Sequence, residues 1–154
     1  MLTAKQFVVR GGITPKKAQH YGVAKLSGEI DALCIDDARS RIWVVEAKDP
    51  YTPYSARQVR RLIDDFIAPG KYIDRLLRKA SDITDSASSI AAALNIEESR
   101  RTWTVVPLMV TRHLEPAAYA VDPRVPFCVL HNLGATVDQD ELPRPGLPAY
   151  AGSQ

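Results

Sequence analysis

Cysteine is scarce in this chain, with Cys34 and Cys128 the only two in 154 residues. Each lies in an apolar run, "ALCI" and "FCVL". Both read as reduced, buried, small hydrophobes, a disulfide between them being the alternative. Two cysteines make no secreted disulfide framework. Histidine is scattered: His20, His113 and His131 show no His-x-x-x-His spacing and read as structural or surface residues. No apolar run approaches the ~18 residues of a membrane span. "MLTAKQFVVRGG" lacks the apolar centre of a signal peptide, so a cytoplasmic protein is expected. Charge of one sign is lacking too: 20 Lys and Arg stand against 18 Asp and Glu, for a net charge of +2. Contact with a polyanion must then rest on local clusters, not on the total. Gly11-Gly12 is not followed by Gly-Lys-Ser/Thr, so it forms no phosphate loop. Ser-His-Asp and Cys-His arrangements have no local support, and no internal repeat is visible.

What is present suits one α/β domain. Hydrophobic residues make up 45% of the chain, enough for a core. Residues 6–12, 28–36 and 41–48 read as strands, the last two joined by the polar hairpin connection 37–40. Residues 13–27 read as a loop or weak strand, and 49–55 as a proline-marked loop. Ser55 is placed to cap a helix carrying Val59, Leu62, Ile63, Phe66 and Ile67 at helical spacing. After "APG" (68–70) come a second amphipathic segment, Tyr72 to Ala80, and a third, Ile83 to Leu94. A strand at 102–113 contains Pro107, which suggests an edge position or a bulge. A helical turn at 115–121 and a last strand at 125–133 follow. The expected organisation is a domain over 1–135 and a flexible, proline-rich tail over 136–154.

The strands carry misplaced charges. Alternate strand residues share a face. Asp31 shares one with Glu29, Leu33 and Ile35, while Glu46 and Lys48 share one with Val44. If 28–36 and 41–48 pair as a hairpin, Asp31 comes near Glu46 and Lys48. Two adjacent carboxylates repel, and a divalent cation relieves that conflict. Oxygen ligands from Asp31, Glu46 and the Ala47 carbonyl suit Mg²⁺, with Mn²⁺ as a substitute. Lys48 then orients or helps deprotonate an attacking water and offsets charge in a phosphorane-like transition state.

"GEIDALCID" followed by "WVVEAK", an Asp-bearing strand, a short hairpin and a Glu-x-Lys strand end, resembles the PD-(D/E)XK nuclease superfamily. In that comparison Asp31 matches the first acid, Glu46 the second and Lys48 the lysine. Ile30 stands in place of the proline that gives the family its name. The resemblance implies a restriction-endonuclease-like fold, a mixed central β-sheet flanked by helices. Residues 6–113 supply the βββαβ part of its αβββαβ core. It also implies Mg²⁺-dependent hydrolysis of DNA, with homodimers common because cutting two strands needs two sites. Gln58 matches a Gln that supports the site in some branches. The first core helix, which often brings a further Glu, has no counterpart before Gln6, and Glu29 is the candidate to replace that acid.

A basic run follows the triad: Arg57, Arg60 and Arg61, then Lys71, Arg75, Arg78 and Lys79, with Arg100 and Arg101 beyond. It reads equally as a phosphate-contacting face and as a solvated helix face balanced by Asp64, Asp65 and Asp74. Tyr51 and Tyr54 follow the Glu-x-Lys strand, and stacking on bases is weighed against ordinary loop packing. The functional alternatives are a nuclease-like domain that binds nucleic acid or protein without cutting, and an interaction domain with no site.

Overall fold

A computed structural model describes residues 7–96, 102–113, 115–119 and 125–138. Arg100, Arg101 and all of the expected tail beyond residue 138 lie outside them. Among the described residues the chain is a mixed α/β fold with a five-stranded sheet in the order β1-β2-β3-β4-β5. The strands are β1 Phe7–Ile13, β2 Ile30–Asp36, β3 Arg41–Lys48, β4 Thr104–Thr111 and β5 Phe127–Val129. The helices are α1 Ala56–Ile67, α2 Tyr72–Ala93 and α3 Leu133–Asp138. No helix among the described residues is long and apolar enough to cross a membrane. The chain divides into two compact units, Met1–Val45 with Leu77–Pro107, and Glu46–Leu76 with Leu108–Gln154.

In the first unit β1, β2 and the start of β3 form an antiparallel meander. Val9 faces Cys34, and Cys34 faces Trp43. From Leu33 to Asp36, and from Ile42 to Val45, every residue is buried. Burial on both faces explains why these strands read as continuous apolar runs and not as alternating ones. The hairpin turn at 37–40 closes with the Ser40 N–H donating to the Asp37 carbonyl at 3.1 Å. Ser40 turns back with φ 51°. Asp36 is buried yet satisfied: its carboxylate accepts from the Arg39 backbone N–H at 3.2 Å and from Arg39 Nη1 at 2.8 Å. The Arg41 guanidinium carbon lies 5.6 Å from the Trp43 ring centroid. Cys34 is buried and free.

Of the segment 13–27, Ile13 ends β1, and the rest is neither strand nor plain loop. It contains a single 3-10 turn at Ala18–Tyr21 and buries Ala18, Val23 and Leu26. It lies along α2, where the Ser27 N–H donates to Asp82 Oδ2 at 2.6 Å. The two helical segments expected after residue 72 are one helix of 22 residues. Ile73, Leu76, Ala80, Ile83, Ala87 and Ile90 are all buried, and their spacing never breaks. No glycine or proline separates Ala80 from Ile83, so nothing interrupts the backbone ladder there.

The second unit holds the end of β3, α1, the start of α2, β5 and α3. Ser55 caps α1 as expected, its hydroxyl accepting from the Gln58 N–H. Leu62 and Phe66 are the buried residues of that helix. Phe66 stands edge-on to Tyr72, with centroids 5.2 Å apart, and tilted against Phe127 at 5.5 Å. β5 runs parallel to β4, with Met109 facing Phe127. It is far shorter than the strand expected over 125–133. A 3-10 turn at Leu130–Asn132 leads from it into α3, which buries Thr136 and Val137. Cys128, also buried and free, approaches Thr136 Oγ1 at 3.1 Å.

Pro107 is not on an edge strand, since β4 lies between β3 and β5. The proline is tolerated because β5 is short. The Met109 N–H donates to the Pro126 carbonyl at 3.0 Å, and the ladder with β5 begins there. Pro107 N, two residues earlier, points toward the same side, before that ladder starts.

Candidate functional site

β3 leaves the core through "VVEAK". Val44 and Val45 are buried, Glu46 is 8% exposed and Ala47 is exposed. Lys48 Nζ lies 2.7 Å from Glu46 Oε1. Two positions apart in one strand, the two side chains share a face, which is what lets them pair. The Lys48 ammonium also sits 5.2 Å from the centroid of the Tyr72 ring. Tyr72 is braced by Phe66, which is sealed from solvent. The lysine head group thus has two neighbours, a carboxylate and the ring of a tyrosine that is itself in edge contact with Phe66. Tyr72 looked like an ordinary apolar position of a helix, and no spacing in the sequence ties it to Lys48.

A cleft of 510 Å³ opens at the end of β3, bordered by Lys48, Asp49, Thr111, Arg112 and Leu130. Arg112 Nη1 reaches Asp49 Oδ2 at 3.4 Å, an exposed pair of little energetic weight. The Thr111 hydroxyl donates to the His113 carbonyl at 2.7 Å. Glu115 is buried, and its carboxyl is pushed up to about 7, first by burial and then by the negative charge of Asp49. Neither Asp49 nor Glu115 stands out in the sequence. Glu115 opens a 3-10 turn, Pro116–Ala118, far along the chain from Glu46.

Asp31 is the second residue of β2 and is exposed. The β2–β3 ladder includes Leu33 opposite Val44 and ends with Ala32 opposite Val45. Asp31 and Glu46 are the next residue of each strand. Alternation puts Asp31 on the face of Leu33, and Glu46 on the face of Val44. On the other side of β2, Gly11 faces Ala32 and Ile13 faces Ile30, so Gly12 occupies the position across from Asp31. Gly12 has φ +61° and no side chain to cover the carboxylate. Glu29 is exposed and precedes β2.

Gln58 is exposed, and its side chain serves the helix start: Oε1 accepts from the Tyr54 N–H at 2.7 Å. With the Gln58 N–H on Ser55 Oγ at 3.3 Å, this is a capping box shifted back by one residue. Arg57, Arg60 and Arg61 are exposed along α1. Arg57 and Arg61 border a second cleft, of 460 Å³, with Tyr51, Gln58 and Asp65. The basic run is not uniformly a solvated face. Lys71 pairs with Asp65 at 3.1 Å, and Lys79 is buried with its Cε beside Gly28. His20, His113 and His131 are all exposed. Burial pushes both cysteine thiols up, which disfavours a thiolate nucleophile. Among the described residues, no group of three or more His, Cys, Asp or Glu side chains is placed to hold a metal ion. No family model matches this chain, and no curated protein or solved structure matches it.

Proposed function

We propose that this chain is a metal-dependent nuclease that hydrolyses phosphodiester bonds of DNA, using Asp31, Glu46 and Lys48. The observation that carries the reading is the Glu46–Lys48 pair, held at 2.7 Å where β3 emerges from the core beside an open cleft. An ammonium paired with a buried carboxylate and close to a tyrosine ring is positioned, not merely solvated. The strand order and the antiparallel β2–β3 hairpin also suit the PD-(D/E)XK resemblance, with its restriction-endonuclease-like fold.

The donor set fits a hard cation. Asp31, Glu46 and the Ala47 carbonyl offer oxygen only, and exposure at Asp31 and Ala47 leaves room for waters. Mg²⁺ favours such sites, held by one or two carboxylates while keeping several waters, and Mn²⁺ substitutes for it. A bound ion supplies Lewis-acid stabilisation of the phosphoryl oxygens and a more acidic water. Lys48 contributes a fixed positive charge where negative charge grows, and it orients the attacking water by donating a hydrogen bond. Arg57, Arg60 and Arg61 hold phosphates of the strand.

The test is cleavage of circular and linear DNA, and of RNA, in Mg²⁺, in Mn²⁺ and in EDTA, beside Lys48→Ala and Asp31→Ala. Metal-dependent DNA cleavage lost in both variants supports the reading. Cleavage that survives either substitution overturns the site. Binding without cleavage in either metal favours a nucleic-acid-binding domain that has lost its chemistry.

A further inference from the structure

We infer that the loop after β3 and the first turns of α1 form a clamp for an unpaired DNA strand, with Tyr51 and Tyr54 as base-stacking platforms and Arg57 and Arg61 as phosphate contacts. The inference rests on the nuclease reading for its choice of nucleic acid as the ligand, and it names the form of substrate that the reading leaves open.

The tyrosines carry the argument. Ordinary loop packing would bury their rings, yet Tyr54 is 90% exposed and Tyr51 49% exposed. An isolated exposed aromatic needs no explanation. These two belong to a segment that is held in place. The Tyr54 N–H donates to Gln58 Oε1 at 2.7 Å, the Tyr51 hydroxyl donates to the Gln58 carbonyl at 3.5 Å, and Ser55 caps the helix that follows. Pro50 and Pro53 restrict the backbone between them. A ring presented from a fixed backbone loses little freedom when a base settles on it.

The charges supply the second half. Arg57 and Arg61 are four residues apart, hence on one stripe of α1 and about 6 Å apart along its axis. They border the same 460 Å³ cleft as Tyr51. The one acid in that lining, Asp65, is engaged by Lys71 at 3.1 Å, so the cleft presents net positive charge. Cations that track a backbone beside exposed rings are the means by which proteins hold single strands. In a duplex the base faces are covered by neighbouring base pairs, and a projecting tyrosine has nothing to stack on. The loop also starts directly after Lys48, the last residue of β3.

The experiment is fluorescence anisotropy in EDTA, with a labelled 15-nucleotide DNA offered single-stranded and as a duplex, and a single-stranded RNA of the same length. Proteins are the full chain, Tyr54→Ala, Tyr54→Phe, and Arg57→Ala/Arg61→Ala. Expected are at least tenfold tighter binding of single-stranded DNA than of duplex, and about a tenfold loss in Tyr54→Ala on the single strand alone. Tyr54→Phe should retain affinity. The double arginine variant should lower the slope of log affinity against log salt by about 1.4, the value for two single-strand phosphates. Equal single-strand and duplex affinity, no single-strand binding, unchanged binding in Tyr54→Ala, or a preference for the RNA overturns the clamp. Cleavage is scored separately in Mg²⁺. Tyr54-dependent binding without cleavage removes the nuclease reading and keeps the clamp, whereas Lys48-dependent cleavage indifferent to Tyr54 does the reverse.

Discussion

Lys48 and Glu46 form an ion pair at 2.7 Å in which the carboxylate is nearly sealed from water and the ammonium is about a quarter exposed. Removing the lysine therefore has two consequences. Glu46, largely buried, loses the Lys48 cation, and losing one partner of a fully buried pair costs several kcal/mol. Lys48 is partly wet, so about 1–2 kcal/mol is expected for Lys48→Ala in urea unfolding. Cleavage should fall by about 100-fold or more, in keeping with the loss of a positioned catalytic group. Lys48→Met keeps an unbranched apolar side chain without the charge and should lose as much activity with a smaller loss of packing. A Met variant retaining more than a tenth of the wild-type rate would remove Lys48 from the chemistry.

Glu115 makes stability depend on pH in an unusual direction. Its carboxyl titrates at about 7 in the folded chain against an ordinary value of 4.5, chiefly because it is buried and secondarily because Asp49 is negative. Between those values the folded chain keeps a proton that the unfolded chain has released. The stabilisation is complete below about pH 4.5 and is lost as pH rises through about 7. Thermal melts from pH 5 to 8 should show this decline, and Glu115→Gln should flatten it. At pH 8 the variant should melt higher, by about 2–4 °C for each kcal/mol recovered. Asp49→Asn should shift the upper end of the window to lower pH. A wild-type curve that is flat across this range, or one that Glu115→Gln leaves unchanged, would show that Glu115 does not control it.

Local pattern made much of this legible in the sequence. Strong β formers gave β2 and β3, a four-residue polar connection gave their hairpin, and Ser55 gave the start of α1. Two tertiary facts were not legible. The length of β5 is set by where the chain swings from Val129 into a 3-10 turn and α3, though "VPFCVLHNL" is apolar well past that point. Pro107 suggested an edge because its missing N–H was obvious, while the shortness of the neighbouring strand was not. The site divides in the same way. Glu46 and Lys48 announce themselves as charges ending an apolar strand. Tyr72, Asp49 and Glu115 come close only through folding, and their residue types are unremarkable where they stand.

Gln58 is claimed by two roles that a pair of variants separates. As the second member of the capping box it accepts from the Tyr54 N–H, a role that Glu can also fill. Gln58→Glu should leave thermal stability within about 0.5 kcal/mol, while Ser55→Ala should cost about 1 kcal/mol. If the amide also serves the chemistry, Gln58→Glu should lose cleavage at unchanged stability. Full activity in Gln58→Glu would confine the residue to the cap.

Two glycines with nearly the same backbone offer a test of the packing that supports β2. Gly22 has φ +76° and Gly70 has φ +75°, so an alanine at either bears a similar conformational penalty, about 1–2 kcal/mol. Their surroundings differ. A Cβ on Gly70 meets nothing within 4 Å, whereas one on Gly22 collides with the backbone carbonyl of Ser89 in α2. Backbone in a helix yields far less than the end of a flexible side chain. Gly22→Ala should therefore cost at least about 2 kcal/mol more than Gly70→Ala in urea unfolding. It should also loosen the segment that runs on to Ser27, whose N–H is held by Asp82 just ahead of β2. Hydrogen exchange at the Ser27 amide gives the local readout. Faster exchange in Gly22→Ala, with the Gly70→Ala amide unchanged, is expected. Equal costs for the two alanines would mean that the close approach of this segment to α2 does not hold the strand that carries Asp31.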